Sequence, residues 1–335
     1  MNNFKKVGLT ALAGSLVAIS AQAAEMAVSG ASVLTYTSGH STEVTGNPFG
    51  MKTNLSFTAS GEVNGYNVSY MQTSADQFAG MSSARLSIDM GDIGTFAFDQ
   101  GSGSGLATID DKTPTAAEEI WDGIDTITGG TGPQGLVGAA GNSGVFNYVN
   151  TFEGVTLNAA ARKGSGTSNA DGGKSGVGQG AWDFALTADG SSMGAEGLSF
   201  GAGYGEAENG STAASTYGDA EHMTAFANYS VGPVTFGYQK SYIEANVNGT
   251  DDEETTAWGL AFNVNENLSL SYGERDVVFK GAGASADVTE KGDGIAVAYT
   301  MGSMKIAGNM NDVSDNDGTA GNNDSMTEIA VSFAF

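Results

Sequence analysis

Cysteine is missing altogether from the 335 residues, which excludes disulfide scaffolds, thiol catalysis and cysteine-ligated zinc. Charge is scarce: 15% of residues are charged, where soluble domains carry about 25%. Cations are scarcer still, with 13 Lys and Arg against 38 Asp and Glu and a net charge of −25. Phosphate recognition needs clustered Lys and Arg, so nucleic acid is not expected as a partner. Histidine is reduced to His40 and His222, too few for a metal cluster or a defensible Ser-His-Asp arrangement, and the chain is not read as an enzyme. Beyond residue 23 no apolar run approaches the roughly 20 residues of a transmembrane helix, and no window holds a helical period.

Glycine, at 51 residues, and hydrophobic residues, at 40%, are plentiful. The glycines follow no three-residue period and the apolar content is too high for a disordered acidic tail, so neither collagen nor disorder fits. Lys5 and Lys6 precede a short apolar run from Val7 to Ile19 that ends in Ala21-Gln22-Ala23, the pattern of a secretory signal peptide cleaved near Ala23. Residues 1–23 are read as this signal and 24–335 as one domain. Losing Lys5 and Lys6 takes the net charge from −25 to −27.

The mature chain alternates. Leu55, Phe57 and Ala59 interleave with Ser56 and Thr58, and Ile329, Val331, Phe333 and Phe335 recur at every second position. Such runs fall near 26–36, 52–62, 65–74, 82–91, 94–100, 144–152, 155–163, 181–189, 197–205, 221–231, 233–242, 255–264, 267–276, 291–300, 303–311 and 325–335. After the second run the gaps are short and long in turn. Antiparallel neighbours joined this way collect tight turns at one end and long loops at the other, as outer-membrane barrels do. The prolines agree, because Pro48, Pro114 and Pro133 fall in long gaps and Pro233 opens a run. A soluble sandwich would alternate too, but its outer face would carry Lys and Glu. Here one face is apolar in nearly every run, a hazard in water and at home in lipid. The expected fold is a 16-stranded antiparallel transmembrane β-barrel, wide enough for an aqueous interior and without an ordinary hydrophobic core.

Three stretches then resemble the general porins of Gram-negative bacteria, in the alphaproteobacterial style. Met90-Gly91-Asp92-Ile93-Gly94-Thr95-Phe96-Ala97-Phe98 is similar to the hairpin before the porin constriction loop. Asn142-Ser143-Gly144-Val145-Phe146-Asn147-Tyr148 with Phe152-Glu153-Gly154-Val155-Thr156-Leu157 is similar to the hairpin after it. Phe335, closing the alternation, is similar to the terminal aromatic read by the barrel-assembly machinery. The resemblance implies a homotrimer in the outer-membrane lipid, a long loop folded into the pore, and passive diffusion of ions and small hydrophilic solutes.

The longest gap, 101–143, falls where that family has its constriction loop. It holds Asp110, Asp111, Glu118, Glu119, Asp122 and Asp125 against Lys112 alone, the candidate acidic side of an eyelet. Thr115-Ala116-Ala117-Glu118 reads as a capping box, so a short helix is expected there. By the two-residue period Arg85, Arg162 and Arg275 all face inward. Arg85, mid-strand, is the candidate partner of the acidic loop, and Arg162 and Arg275 are candidates for the pore wall or vestibule. A mild cation preference follows, fading as the carboxylates protonate near their reference pKa of about 4.

Other motifs carry less. Gly172-Gly173-Lys174-Ser175 ends like a phosphate-binding loop, but the first required glycine is Ser168. Asp315-Asn316-Asp317-Gly318 lacks the first ligand of an EF-hand, where Val313 stands. No cofactor is expected, though this loop and Asp251-Asp252-Glu253-Glu254 are candidates for loose calcium binding. The competing readings are a sealed structural or adhesin barrel, and a barrel-borne hydrolase for which His40 is the one candidate at the rim.

Overall fold

The computed structural model describes residues 25–39, 47–75, 81–124, 135–141, 143–164, 180–209, 218–247, 252–281 and 285–335. The export segment expected at 1–23, His40, Asp125, Pro133, Asp251 and the glycine-rich 172–175 lie outside them. Sixteen strands are present: β1 (Glu25–Gly39), β2 (Phe49–Val63), β3 (Tyr66–Ala75), β4 (Met81–Asp89), β5 (Thr95–Gln100), β6 (Ser143–Phe152), β7 (Val155–Arg162) and β8 (Ala181–Asp189), then β9 (Leu198–Ala207), β10 (Ala220–Val231), β11 (Val234–Glu244), β12 (Asp252–Asn263), β13 (Leu268–Lys280), β14 (Val288–Met301), β15 (Met304–Ser314) and β16 (Asp324–Ala334). Each pairs antiparallel with the next, and β16 returns to β1, closing the barrel. At the seam the Phe335 N–H donates to the Gly30 carbonyl at 2.9 Å and the Gly30 N–H to the Phe335 carbonyl at 2.7 Å. Closure leaves no sheet edge unpaired, which a lipid environment demands.

Alternation decides which side meets lipid. Along β14 the exposed Ile295, Val297 and Tyr299 point out while Gly294, Ala296 and Ala298 are buried inside. Aromatic pairs stitch the outer face across strands, with Phe98 5.2 Å from Phe146 and Trp258 5.5 Å from Tyr272, both edge-on. Such pairs add about 0.5–1.5 kcal/mol each beyond their buried area. Tight turns gather at one end. Asn64-Gly65 and Glu153-Gly154 have positive φ at both positions (53° and 84°, 48° and 85°), the requirement of a type I′ hairpin turn. Pro233 sits beside Gly232 in the β10–β11 turn, one residue before the strand it was expected to open.

Two expectations change. β13 and β14 run to Lys280 and from Val288, past the runs visible in the sequence. The reason is an inversion: beyond Tyr272 and Ile295 the outer positions are Glu274, Asp276, Lys291 and Asp293, while Val277 on the inner side is fully buried. Above the apolar band the outside is water and the inside is packed, so the polarity of the alternation switches. The second change is that a hydrophobic core exists. Leu106, Ile109 and Val137 bury themselves against Ala185 of β8 and Phe226 of β10, with Ile243 of β11 alongside. This core lies inside the barrel, between the inner wall and the chain that connects β5 to β6.

Candidate functional site: the loop inside the barrel

The connection after β5 turns inward because its root is clamped. Asp99 is fully buried and accepts from the Ser102 N–H at 3.0 Å, the Ser104 hydroxyl at 2.7 Å and the Ser102 hydroxyl. Arg85 approaches Asp99 to 3.8 Å and donates to Ser102 Oγ at 3.3 Å, to the Gly103 carbonyl at 3.1 Å and to Asn147 Oδ1 of β6. Truncating Asp99 to Ala strands these donors and is expected to cost about 3 kcal/mol of local stability. Amide exchange at Ser102 and Leu106 checks this, with Asp99→Asn expected to lose less.

From that root an outgoing leg, 105–124, follows the wall. The Gly105 and Leu106 amides donate to Asn158 of β7 and Asp183 of β8 at 2.9 and 3.1 Å. Gln239 of β11 donates to the Ile109 and Asp110 carbonyls and accepts from the Lys112 N–H at 2.7 Å. Asn228 of β10 donates to the Lys112 carbonyl, Ser271 of β13 accepts from the Ala116 N–H, and Asn311 of β15 donates to the Glu119 and Asp122 carbonyls. The expected helix at 115–118 is therefore not formed. The Ala116 N–H goes to the wall at Ser271, and the Thr115 hydroxyl accepts from the Ala117 N–H and donates to the Glu118 carbonyl, in place of an internal ladder.

The wall is shaped for this leg. Asn228, Gly237, Gly259, Gly273, Gly294 and Asn311 are directly opposite one another in successive strands β10 to β15. A side chain at Gly237 would run into Pro114, a Cβ at Gly259 would stand 2.7 Å from the Pro114 carbonyl oxygen, and one at Gly294 would stand 3.1 Å from Ile120. Four bare positions between two asparagines make a track on which residues 112–122 lie. None of these residues stands out in the sequence; the signal is glycine recurring at inward positions of four consecutive strands.

A returning leg, 135–141, lies nearer the long-loop end. Its Gly135, Gly138 and Ala140 amides donate to Glu253 of β12 at 2.6 Å, His222 Nδ1 of β10 at 3.3 Å and Asp183 at 2.7 Å.

Of the acidic candidates, the structure brings Asp110, Asp111, Glu118, Glu119 and Asp122 together on the outgoing leg. Glu118 is exposed. Burial pushes the Asp110 carboxyl up to about 6, with Asp111 beside it adding to the shift. Burial also pushes Asp122 up to about 6, reinforced by Glu118, Glu328 and Glu119. Asp111 and Glu119 are raised for the same first reason, Glu119 also by Asp111 and Glu118.

The arginines face inward but have other occupations. Arg85 serves the loop root. Arg275 lies 3% exposed, 3.3 Å from Glu290 of β14 and with its guanidinium 4.9 Å from the Trp121 ring centre. The loop covers it, so it does not line an open vestibule. Arg162 ends β7 half-buried, with its Nε given no hydrogen-bond partner in the described structure. Arg275 and Lys112 offset the shift of Asp111, and Asp122 and Glu119 are met by wall lysines. Lys52 of β2 offsets the shift of Asp122, and Lys305 of β15 offsets that of Glu119. Both alternate with outward Met51 and Ile306, so the period applied to the arginines would have found them. Glu328 of β16, held by the Thr37 hydroxyl at 3.2 Å, joins the acidic side. Among the described residues no group of three or more His, Asp or Glu is arranged to hold a metal ion. Asp315 Oδ1 is occupied by the Gly321 N–H.

No family model matches the chain, and no curated protein matches its sequence. Solved structures do match. OmpT, an outer membrane protein of Vibrio cholerae folded in vitro, is 14% identical over 93% of this chain and 98% of its own, with a TM-score of 0.66. The outer membrane channel DcaP of Acinetobacter baumannii is 14% identical over 93% and 97%, with a TM-score of 0.63. An anion-selective porin from Comamonas acidovorans is 12% identical over 93% and 100%, with a TM-score of 0.62. At these identities the likeness is one of fold: this chain is a closed barrel of the porin architecture.

Proposed function

We propose that the protein is an outer-membrane porin, a water-filled channel through which ions and small hydrophilic solutes diffuse passively. The observation that carries this reading is the loop itself. Residues 105–124 hug the inner wall along β7–β15 and present Glu118, Glu119 and Asp122 towards a lumen that also holds Lys52, Lys305 and Glu328. Asp110 and Asp111 line the approach on the same leg. A constriction narrowed from one side and lined by charge filters by size first and by charge second. Liposomes carrying the protein should swell in isosmotic amino acids or small sugars and not in large oligosaccharides. Equal exclusion of every solute would favour a sealed barrel.

Family type and assembly complete the proposal. The alternation up to Phe335, with the likeness of residues 90–98, 142–148 and 152–157 to porin hairpins, supports a porin of the alphaproteobacterial style. Export with cleavage near Ala23 delivers it to the outer membrane of a Gram-negative bacterium, and the mature chain should begin at Ala24 on N-terminal sequencing. One structural relative, OmpT of Vibrio cholerae, is described in a trimer form, and a homotrimer is proposed here too. Phe335 is proposed as the residue read by the barrel-assembly machinery. Deleting it also removes the two hydrogen bonds to Gly30, and should sharply reduce the heat-modifiable barrel recovered from outer membranes.

A further inference from the structure

Asp315-Asn316-Asp317-Gly318, conspicuous in the sequence for its carboxylates, folds inward. β15 ends at Ser314, opposite Lys291 of β14, so the chain leaves the wall level with Glu290. It then crosses the inner face of β14 towards β13. The Asp317 N–H donates to Glu290 Oε2 at 3.0 Å. Gly318 lies so near Phe279 of β13 that a Cβ there would stand 2.7 Å from the ring. Asn316 is 6% exposed, over a small cavity whose other sides include Ile120, Trp121 and Ile124 of the outgoing leg and Arg275 and Val313 of the wall. We infer that residues 315–323 are a flap, a second element of the constriction. It lies in the long-loop mouth of the barrel over residues 120–124 and is latched there by Glu290 and Phe279.

The flap is tied to itself. The Asn316 N–H donates to the Asn322 carbonyl at 2.8 Å, and the Thr319 and Asn322 amides donate to the Asn316 and Thr319 carbonyls at 3.1 and 3.0 Å. Asp315 Oδ1 accepts from the Gly321 N–H at 2.5 Å, and the Asp315 N–H donates to Asn323 Oδ1 at 3.2 Å. These bonds travel with the flap when it moves. Its ends join β15 and β16, where Val313 and Asp324 are already paired, so swinging it out breaks no ladder. Asp315 and Asp317 hold φ of 55° and 54°, a left-handed conformation that a side-chain-bearing residue keeps when its surroundings fix it. The wall supplies the fixing. Glu290, itself 6% exposed, gives one oxygen to Asp317 and the other to Arg275 at 3.3 Å, and the Arg275 guanidinium lies against Trp121. One buried pair therefore holds the flap on one side and the end of the outgoing leg on the other. Glu290 is a positioning residue for both. Latched, the flap screens Glu119 and Asp122 from the outside. Released, it widens the mouth while Gln239, Asn228, Ser271 and Asn311 keep the outgoing leg in place.

The latch stands whether or not the barrel conducts; the screening role rests on the porin reading. Because the chain has no cysteine, Asn316→Cys supplies a sole thiol, placed under the flap. A water-soluble maleimide should label it slowly in the otherwise unaltered protein in nanodiscs. Glu290→Ala should speed labelling at least about tenfold. So should Gly318→Val, which drives a side chain into the Phe279 ring and leaves Glu290 and Arg275 untouched. Heat modifiability should be retained in both. In planar bilayers, Gly318→Val without the cysteine should admit larger polyethylene glycols from the long-loop side, with the exclusion limit from the turn side unchanged. Fast labelling before any latch change, an equal rate in either latch variant, or an unmoved exclusion limit with the flap released would overturn the inference. Absence of conductance from the unaltered protein would count against the porin reading, and the labelling ratio alone would then decide the flap.

Discussion

Deleting residues 106–136 is expected to raise single-channel conductance by about twofold or more, since a 16-stranded barrel without an internal loop encloses a wide aqueous lumen. The barrel should survive. All sixteen strand pairings lie outside the deletion, and the root made by Asp99, Ser102 and Ser104 remains. Rejoining the chain costs little, because the ends of β5 and β6 are already paired and closure entropy changes slowly with length. Leu106 and Ile109 would be lost from the internal core, leaving Ala185 and Phe226 facing water. That penalty falls on the loop's own docking and not on the strand ladder. Heat modifiability should be retained. Unchanged conductance in a correctly inserted deletion variant would mean that the loop does not limit the pore.

The second large effect is expected in ion selectivity and its dependence on pH. The loop contributes Asp110, Asp111, Glu118, Glu119 and Asp122, with Asp125 beyond the described residues, against Lys112, and the lumen adds Glu328, Lys52 and Lys305. The balance predicts a cation preference at neutral pH. It should fade with salt, because the Debye length near 0.15 M is about 8 Å, similar to a pore radius. From reference values the preference would persist down to about pH 4. Burial moves the loss upward, since Asp110 and Asp122 exchange their protons at about 6. The sign for stability follows. A carboxyl raised in the docked state binds its proton more tightly there, so its contribution to docking is complete in acid and is lost as pH rises through about 6. Acid thus tightens the outgoing leg while thinning its charge. Reversal potentials across a tenfold potassium chloride gradient should show a cation-selective sign that weakens with a midpoint near pH 6, and Asp110→Asn/Asp122→Asn should flatten that step. A midpoint near pH 4 would place these carboxyls in free water.

Much of this molecule is legible in its alternation, and the failures have physical causes. Leu55 and Phe57, or Ile329 to Phe335, announce lipid-facing strands because lipid imposes one polarity on one face. Where β13 and β14 rise above the apolar band, that solvent is gone and the period inverts around Val277, so apolar residues no longer mark the outside. The loop's place was legible from its length, and its path was not. Asn228, Gly259, Gly273 and Asn311 are ordinary residues until the strand register sets them in one row. Inward arginines were found by the period, but their duties depend on partners far away in sequence, Asn147 for Arg85 and Trp121 for Arg275. The short helix at Thr115 failed for the same reason: local capping preference lost to the path along the wall, where Ser271 takes the Ala116 N–H.

The proposed open, loop-narrowed channel is put to the test by single-channel recording in a planar bilayer. Purified protein added to one side should produce discrete, uniform conductance steps whose reversal potential has the cation-selective sign at neutral pH and low salt. Protein shown by heat modifiability to be inserted and folded, yet giving no steps above the bare bilayer, would contradict it.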